Sequence, residues 1–173
     1  MREETAGKAE ALELTAPRKL EVFHLLDQFE SGEVSIDAYL RDKALKAQVA
    51  KHAVVYVTCF KGTSVVAGYY TLSNGSVARA HGATAGLRRN APSDLPVVLL
   101  GRMGVTRQAA GQGVATDLLQ DAIERALVVS ESVGCLAMVV HPLNERLEHF
   151  YATKAGFISC PELSPKTMML ALR

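Results

Sequence analysis

Residues 97–116, VVLLGRMGVTRQAAGQGVAT, constrain this chain more than any other stretch. An apolar run, Val97 to Leu100, continues through Arg102-Met103-Gly104-Val105, β-favouring but interrupted by glycine. After Arg107-Gln108-Ala109-Ala110-Gly111-Gln112-Gly113, a helical pattern begins near Val114, with Leu118, Leu119, Ala122, Ile123 and Ala126 on one face. The spacing therefore predicts strand, glycine loop, helix. The first N–H groups of a helix have no partner inside it, and the helix dipole favours an anion there. Glycines at 111 and 113 remove the Cβ atoms that would hold a diphosphate away from the backbone. Gln108, Ala110, Gly111, Gln112, Gly113, Val114, Ala115 and Thr116 are thus read as a phosphate cradle. No G-x-x-x-x-G-K-[ST] string occurs, and Gly111-Gln112-Gly113 lacks the third glycine of a dinucleotide fingerprint. The string that fits is Q/R-x-x-G-x-G/A; the alternative is a glycine-rich turn that holds no ligand.

The rest of the chain surrounds this unit. Glu10–Thr15 reads as a short strand, and Leu20, Phe23, Leu26 and Phe29 recur at helical spacing after Pro17. Ser31-Gly32 breaks that helix; Ser35 is a candidate N-cap for a second one running to about Lys51. Val54–Phe60 and Val65–Leu72 are strands joined by the turn Lys61-Gly62-Thr63-Ser64, and Ser76–His81 is a possible third. Residues 82–94 read as a loop and Pro96 opens the strand 97–106. Gly134–His141, residues 144–154 and Thr167–Leu172 read as strand, helix and strand. Hairpin-linked strands followed by strand–helix–strand units predict a mixed sheet with helices on both faces, in one domain over residues 1–173.

At 49% hydrophobic and 21% charged residues the composition is that of a globular protein. No apolar run approaches the ~18 residues of a membrane span. The N-terminal MREETAGKAEALEL lacks the apolar core of a signal peptide, so a cytoplasmic location with no membrane partner is expected. Cys59, Cys135 and Cys160 are widely spaced and odd in number, which reads as reduced structural thiols. No metal site is expected. Charge is unevenly spread: residues 38–107 hold ten Lys/Arg against Asp42 and Asp94, a net +8, while the flanking segments are acidic. Such a block predicts a positive face and makes nucleic acid the first candidate partner. For any single lysine, ordinary solvated surface is the competing reading.

Gln108 to Gly113 resembles the acetyl-CoA pyrophosphate loop of the GNAT N-acetyltransferases. His149-Phe150-Tyr151-Ala152-Thr153-Lys154-Ala155-Gly156-Phe157 resembles the F-Y-x-x-x-G-F ending of that family's last helix, with one extra residue between tyrosine and glycine. Other strings are similar to the GNAT toxins of bacterial toxin–antitoxin pairs, the TacT-like group. They include Phe29-Glu30-Ser31-Gly32-Glu33, Ala67-Gly68-Tyr69-Tyr70-Thr71-Leu72, Leu87-Arg88-Arg89-Asn90, Pro96-Val97-Val98 and Val139-Val140-His141. Gly101 and Gly104 stand where that group commonly has alanine, and Ala115 where it often has glycine.

The resemblance implies an α/β (α+β) GNAT fold: a mixed, mostly antiparallel sheet flanked by helices, with acetyl-CoA as co-substrate in the cleft between two splayed central strands, one of them bulged. It implies that the backbones of Met103 and Val105 pair with pantetheine, that the Met103 N–H serves as an oxyanion donor, and that Gly104 permits close approach. Tyr151 is the expected proton donor to the leaving thiolate, or else orients the thioester. Asn144 either lies by the cofactor or caps its helix. No carboxylate occupies an obvious general-base position, and an isolated His141 is more often structural. The implied activity is acetylation of the α-amine of aminoacyl-tRNA, with Arg41, Lys43, Lys46, Lys51, Arg79, Arg88 and Arg89 contacting the tRNA backbone. A homodimer and a ribbon-helix-helix antitoxin are implied as well. The competing expectations are a GNAT enzyme acting on a small amine or a protein N-terminus, and a non-enzymatic binding module.

Overall fold

A computed structural model describes residues 11–173. One seven-stranded sheet organises them, in the order β1-β2-β3-β4-β5-β7-β6. The strands are β1 (Arg18–Lys19), β2 (Val54–Cys59), β3 (Val66–Ala78), β4 (Asp94–Val105), β5 (Ala137–Val140), β6 (Ile158–Cys160) and β7 (Thr167–Ala171). The helices are α1 (Val34–Asp42), α2 (Ala44–Val49), α3 (Ala85–Arg88), α4 (Val114–Val133) and α5 (Glu145–Ala155). Only β4 and β5 pair in parallel; every other neighbouring pair is antiparallel, so the sheet is mixed and mostly antiparallel.

Period-two alternation divides the core between the two faces. On one face Val55, Val57 and Tyr69 pack under α1 and α2 with Leu20, Phe29, Ile36 and Leu40. Further along the same face, Leu95, Val97 and Val139 pack with Leu87 of α3. On the other face Tyr70, Leu72, Val98 and Leu100 meet Leu118, Leu119, Ala122 and Ala126 of α4 and Tyr151 of α5. The α4 stripe follows the apolar spacing of its sequence. A buried polar tie holds α4 in place: the Tyr70 hydroxyl donates to Asp121, which also accepts from Arg125 at 2.9 Å. Arg125 in turn lies 4.0 Å over the Tyr56 ring and donates to Pro17 O at 3.0 Å.

The structure corrects several local expectations. Residues 17–29 form no helix. Arg18 and Lys19 pair with Val57 and Tyr56 as β1, and the N–H groups of Leu20 and Leu25 donate to Val55 O and Ser64 O. Pairing with β2 and its hairpin thus outcompetes a local helical pattern, and Phe23, expected on the buried stripe, is 43% exposed. The expected strand 10–15 is reduced to a single bridge from Leu14 to Phe60; Glu10 lies outside the described residues. The long helix expected from Ser35 starts at Val34 with Glu33 as N-cap and breaks at Lys43. Its entry is set by Asp37, whose Oδ1 accepts both the N–H (2.9 Å) and the hydroxyl (2.6 Å) of Ser31. Strand β3 does not end at Leu72; it runs through Asn74 to Ala78 beside β4, which itself begins at Asp94. Within the expected loop 82–94, Thr84 caps α3 by accepting the Leu87 N–H at 3.2 Å. Strand β5 starts at Ala137 rather than Gly134.

Cys59 and Cys160 are buried and Cys135 is half-buried, and all three are free. Burial pushes each thiol above its ordinary range, which suits packing rather than nucleophilic attack. Among the described residues no helix is long and apolar enough to cross a membrane, and no cluster of three potential metal ligands occurs.

Candidate active site

The site begins with a break in strand register. Tyr70 faces Met103, but Leu72 faces Leu100, so Gly101 and Arg102 together oppose Thr71. This is a β-bulge on β4. Thr71 Oγ1 accepts the Arg102 N–H at 3.0 Å, and a Cβ on Gly101 would stand 2.8 Å from that same oxygen. Glycine at 101 is therefore part of the bulge.

The bulge coincides with the splaying of the sheet. Strand β5 pairs with β4 only from Val97 to Leu100, while β4 continues to Val105. The Thr106 N–H donates to Ala67 O at 2.8 Å. Alternation then turns the polar groups of Gly104 towards β3 and those of Met103 and Val105 towards the opening gap. Met103 and Val105 thus present N–H and C=O to a slot that no strand among the described residues fills. Gly104 backs this edge tightly, since an added Cβ would lie 2.5 Å from Ile36 Cγ2 and 3.4 Å from Phe29 Cζ. Gly104→Ala is expected to lower stability by about 1–3 kcal/mol through overpacking, read as a lower denaturation midpoint with an unchanged m-value.

Strand β4 leads directly into the glycine loop. Arg107–Ala109 make one 3₁₀ turn, anchored by buried Ala109, and Ala110 to Gly113 are exposed. Gly111 and Gly113 have φ of +73° and +79°, and a Cβ at either would meet nothing within 4 Å. These conformations favour glycine, and the space beside them is open. Val114 is buried as the first residue of α4, so the N–H groups of Val114, Ala115 and Thr116 head a 20-residue helix without intrahelical partners. The loop therefore fits a diphosphate: donors, dipole and clearance coincide. Gln108 lies exposed in the 3₁₀ turn beside it.

Tyr151 lies on α5, 7% exposed, its ring 5.3 Å from Phe150 and 5.5 Å from Phe157. It belongs to the apolar cluster that also contains Val140, Met103 and Val105, the residues bordering the splayed gap. Its hydroxyl has no hydrogen-bond partner among the described residues. His81 Nδ1 is the one fully buried side-chain polar atom there without a partner, so the Tyr151 hydroxyl retains solvent contact. Burial pushes its pKa up to about 12, which keeps the proton in place at neutral pH. The extra residue before Gly156 is absorbed where α5 closes: Gly156 adopts φ +77° and its N–H donates to Ala152 O at 3.0 Å.

The flanking polar residues sort themselves. Asn144 is the N-cap of α5; its Oδ1 accepts the Leu147 N–H at 2.9 Å, which leaves its amide NH₂ available. His141 is engaged at 3.0 Å with Thr167 Oγ1, consistent with a structural histidine. Glu148 pairs with Lys166 at 2.7 Å.

On the sheet face opposite Tyr151, a cavity of about 690 Å³ opens at the bulge. Lys43, Lys46, His52 and Arg102 line it, with Thr71, Gly101 and Tyr39. The Arg102 guanidinium stacks 4.6 Å over the Tyr39 ring. Arg102 and His52 escaped the sequence analysis; the block of positive charge that contains them was visible, but only the bulge register brings Arg102 to Lys43 and Lys46. The remaining cationic candidates divide. Arg41 donates to Phe29 O at 3.0 Å and so braces the loop before α1. Lys51 borders a neighbouring cavity. Arg79 and Arg88 donate to Ala91 O and Gly82 O, and with exposed Arg89 they lie by the start of β4. Seven residues of strand separate Asp94 from Gly101 of the basic cavity, roughly 23 Å. The candidates thus fall into two groups, one by the bulge and one by the start of β4, not one patch.

A bulged β4 splayed from β5, a glycine loop at the head of α4 and a tyrosine beside the gap define an acyl-transfer fold, and comparison with known proteins agrees. The sequence profile of the Acetyltransferase (GNAT) family matches residues 20–157, and the chain belongs to that family. A tRNA-acetylating toxin of Mycobacterium tuberculosis (strain ATCC 25618 / H37Rv) is 41% identical over 137 residues, covering 79% of this chain and 81% of the relative. The solved structure of AtaT complexed with acetyl-methionyl-tRNAfMet superposes with a TM-score of 0.85 at 26% identity, covering 92% of this chain and 95% of that one. A tyrosine-to-phenylalanine mutant of the AtaT toxin, bound to the C-terminus of the antitoxin AtaR and acetyl-CoA, matches with a TM-score of 0.78 at 26% identity over 92% and 93% of the two chains.

Proposed function

We propose that this chain is a single-domain toxin that transfers acetyl from acetyl-CoA to the α-amine of aminoacyl-tRNA and so stops translation. The carrying observation is the basic cavity at the bulge: Gly101 and Arg102, which immediately precede Met103 in β4, line it on the sheet face opposite Tyr151, where a polyanionic acceptor can approach. The 41% identical tRNA-acetylating toxin supports the same acceptor.

Each residue then has a task. The N–H groups from Gln112 to Thr116 bind the diphosphate of acetyl-CoA, with Gln108 and Ala110 shaping the loop. The backbone edges of Met103 and Val105 align pantetheine as an added strand, and the Met103 N–H faces the carbonyl oxygen where negative charge develops. Acetyl-CoA supplies an activated thioester. Tyr151, protonated throughout the neutral range, gives its proton to the departing thiolate. A dedicated general base is not required, because an α-amine has a pKa of roughly 8 and a useful fraction is neutral at pH 7. Lys43, Lys46 and Arg102 hold the acceptor end, and Arg79, Arg88 and Arg89 contact the more distant backbone.

A pH profile follows from these assignments. The rate is expected to rise as the amine loses its proton through about pH 7–8. No descending limb is expected below about pH 10, since the Tyr151 pKa of about 12 keeps the donor protonated. A fall beginning near pH 8 in kcat would contradict Tyr151 as the donor.

The same reading places the protein in the cytoplasm, and the AtaT–AtaR complex supports an antitoxin partner. The ribbon-helix-helix type of that antitoxin and a homodimeric state rest on the family resemblance. The function is tested in cell-free translation. Protein synthesis is expected to stop on addition of the protein only when acetyl-CoA is present. Arrest without acetyl-CoA, or no arrest with it, would overturn the reading and return small amines or protein N-termini to first place.

A further inference from the structure

The hairpin partner of β3 ends early. Strand β2 begins at Val54 opposite Leu72, whereas β3 continues alongside β4 to Ala78. Among the described residues the stretch Ser73–Ala78 therefore has a strand on one side only. Register fixes which groups face the free side. Pro96, opposite Ser76, turns its carbonyl to Leu136 N–H on the β5 side at 2.9 Å. In an antiparallel ladder its counterpart Ser76, and Asn74 two residues before, must then point away from β4. Among the described residues nothing accepts from or donates to these backbone groups. Asn74, Gly75 and Ser76 are all exposed, and the edge carries none of the lysine, proline or bulge features that usually blunt one.

This edge lies where two cavities meet. The basic cavity of the bulge and a second cavity of about 840 Å³ on the α4 side share His52, Ala53 and Ser73. The second cavity has an apolar floor of Tyr56, Leu72, Val98, Val128 and Val129. We infer that the Ser73–Ala78 edge is a docking site for an extended peptide of a partner protein, bound by strand addition, in which acidic and apolar residues alternate. Successive side chains of an added strand point to opposite faces. One set meets Lys43, Lys46 and Arg102; the other meets the apolar floor beside α4. Backbone pairing supplies affinity and the two cavities supply specificity. A second copy of this chain fits poorly: its own edge, Ser73-Asn74-Gly75-Ser76-Val77-Ala78, offers no carboxylate to the basic cavity. The occupied edge overlaps Lys43, Lys46 and Arg102, so a bound peptide would also obstruct the acceptor. The inference itself stands on the strand edge and does not depend on what the enzyme acetylates.

The test uses the full chain and a synthetic octapeptide of alternating Glu and Val, with a control of the same composition in which the four Glu are contiguous. Binding of the alternating peptide is expected to slow amide exchange at Asn74 and Ser76 at least tenfold. N-methylation of alternate residues in one frame should abolish binding, and in the other frame should leave it. Ser76→Pro removes an N–H that β4 does not use, a change an edge strand tolerates, and should weaken binding at least tenfold with the fold intact. Should that variant fail to fold, the two N-methylated peptides decide alone. Equal binding of the control peptide, unprotected Asn74 and Ser76 amides, or indifference to both N-methyl frames would overturn the inference. So would the same protection from a single-stranded oligonucleotide, or from self-association without peptide.

Discussion

Tyr151→Phe is expected to lower kcat by about 10²–10⁴-fold, the usual contribution of a positioned general acid. The KM for acetyl-CoA should change little, because the substitution leaves the glycine loop and the β4 edge untouched. Stability should also hold. The ring keeps its contacts with Phe150 and Phe157, and the lost hydroxyl makes no hydrogen bond among the described residues, so no buried partner is orphaned. A stable variant with kcat within twofold of the parent would show that Tyr151 only packs α5 against the sheet. That outcome would need another source for the leaving-group proton.

The second large effect concerns the acceptor. The triple variant Lys43→Gln/Lys46→Gln/Arg102→Gln should raise KM for aminoacyl-tRNA on the order of tenfold to a hundredfold at low salt. The logarithmic salt dependence should become shallower by about 2–3, one step for each phosphate contact removed. Binding of acetyl-CoA, measured separately, should persist, since all three side chains lie on the face opposite the cradle's helix. Arg89→Gln, at the distant group, should reduce the salt slope by less, about one. An enzyme for small amines would be indifferent to all four substitutions, so unchanged acceptor kinetics in the triple variant would count against a tRNA acceptor.

The glycine loop and the helix after it are legible in the sequence because their requirements are local. Gly111 and Gly113 need left-handed backbone and open space, and the stripe Val114, Leu118, Leu119, Ala122 and Ala126 needs only helical period. Family resemblance puts Met103 and Val105 at the pantetheine edge, and the ladder turns their backbone groups away from β3. The bulge is less visible: Gly101 has meaning only opposite Thr71, thirty residues away, and no periodicity encodes which residues face one another. Arg102 was missed for the same cause. Among the cationic residues the sign of the surface is readable but its geography is not, because Arg88 and Arg89 lie by the start of β4 whereas α1 and α2 bring Lys43 and Lys46 to the bulge. Residues 17–29 failed differently. Leu20 and Phe29 are buried as expected, yet Phe23 is exposed, and the backbone is taken up by β2 and its turn. Helical spacing of four apolar residues was a weak signal against backbone partners supplied by another part of the chain.

The most direct measurement of the central claim is transfer of labelled acetyl from acetyl-CoA to a pool of charged tRNA, beside the same pool after deacylation. Label should appear on the charged pool alone, should be released by mild base as an N-acetylamino acid, and should be lost with Tyr151→Phe. Label on deacylated tRNA, or on neither pool while added small amines or peptides are acetylated, would contradict it.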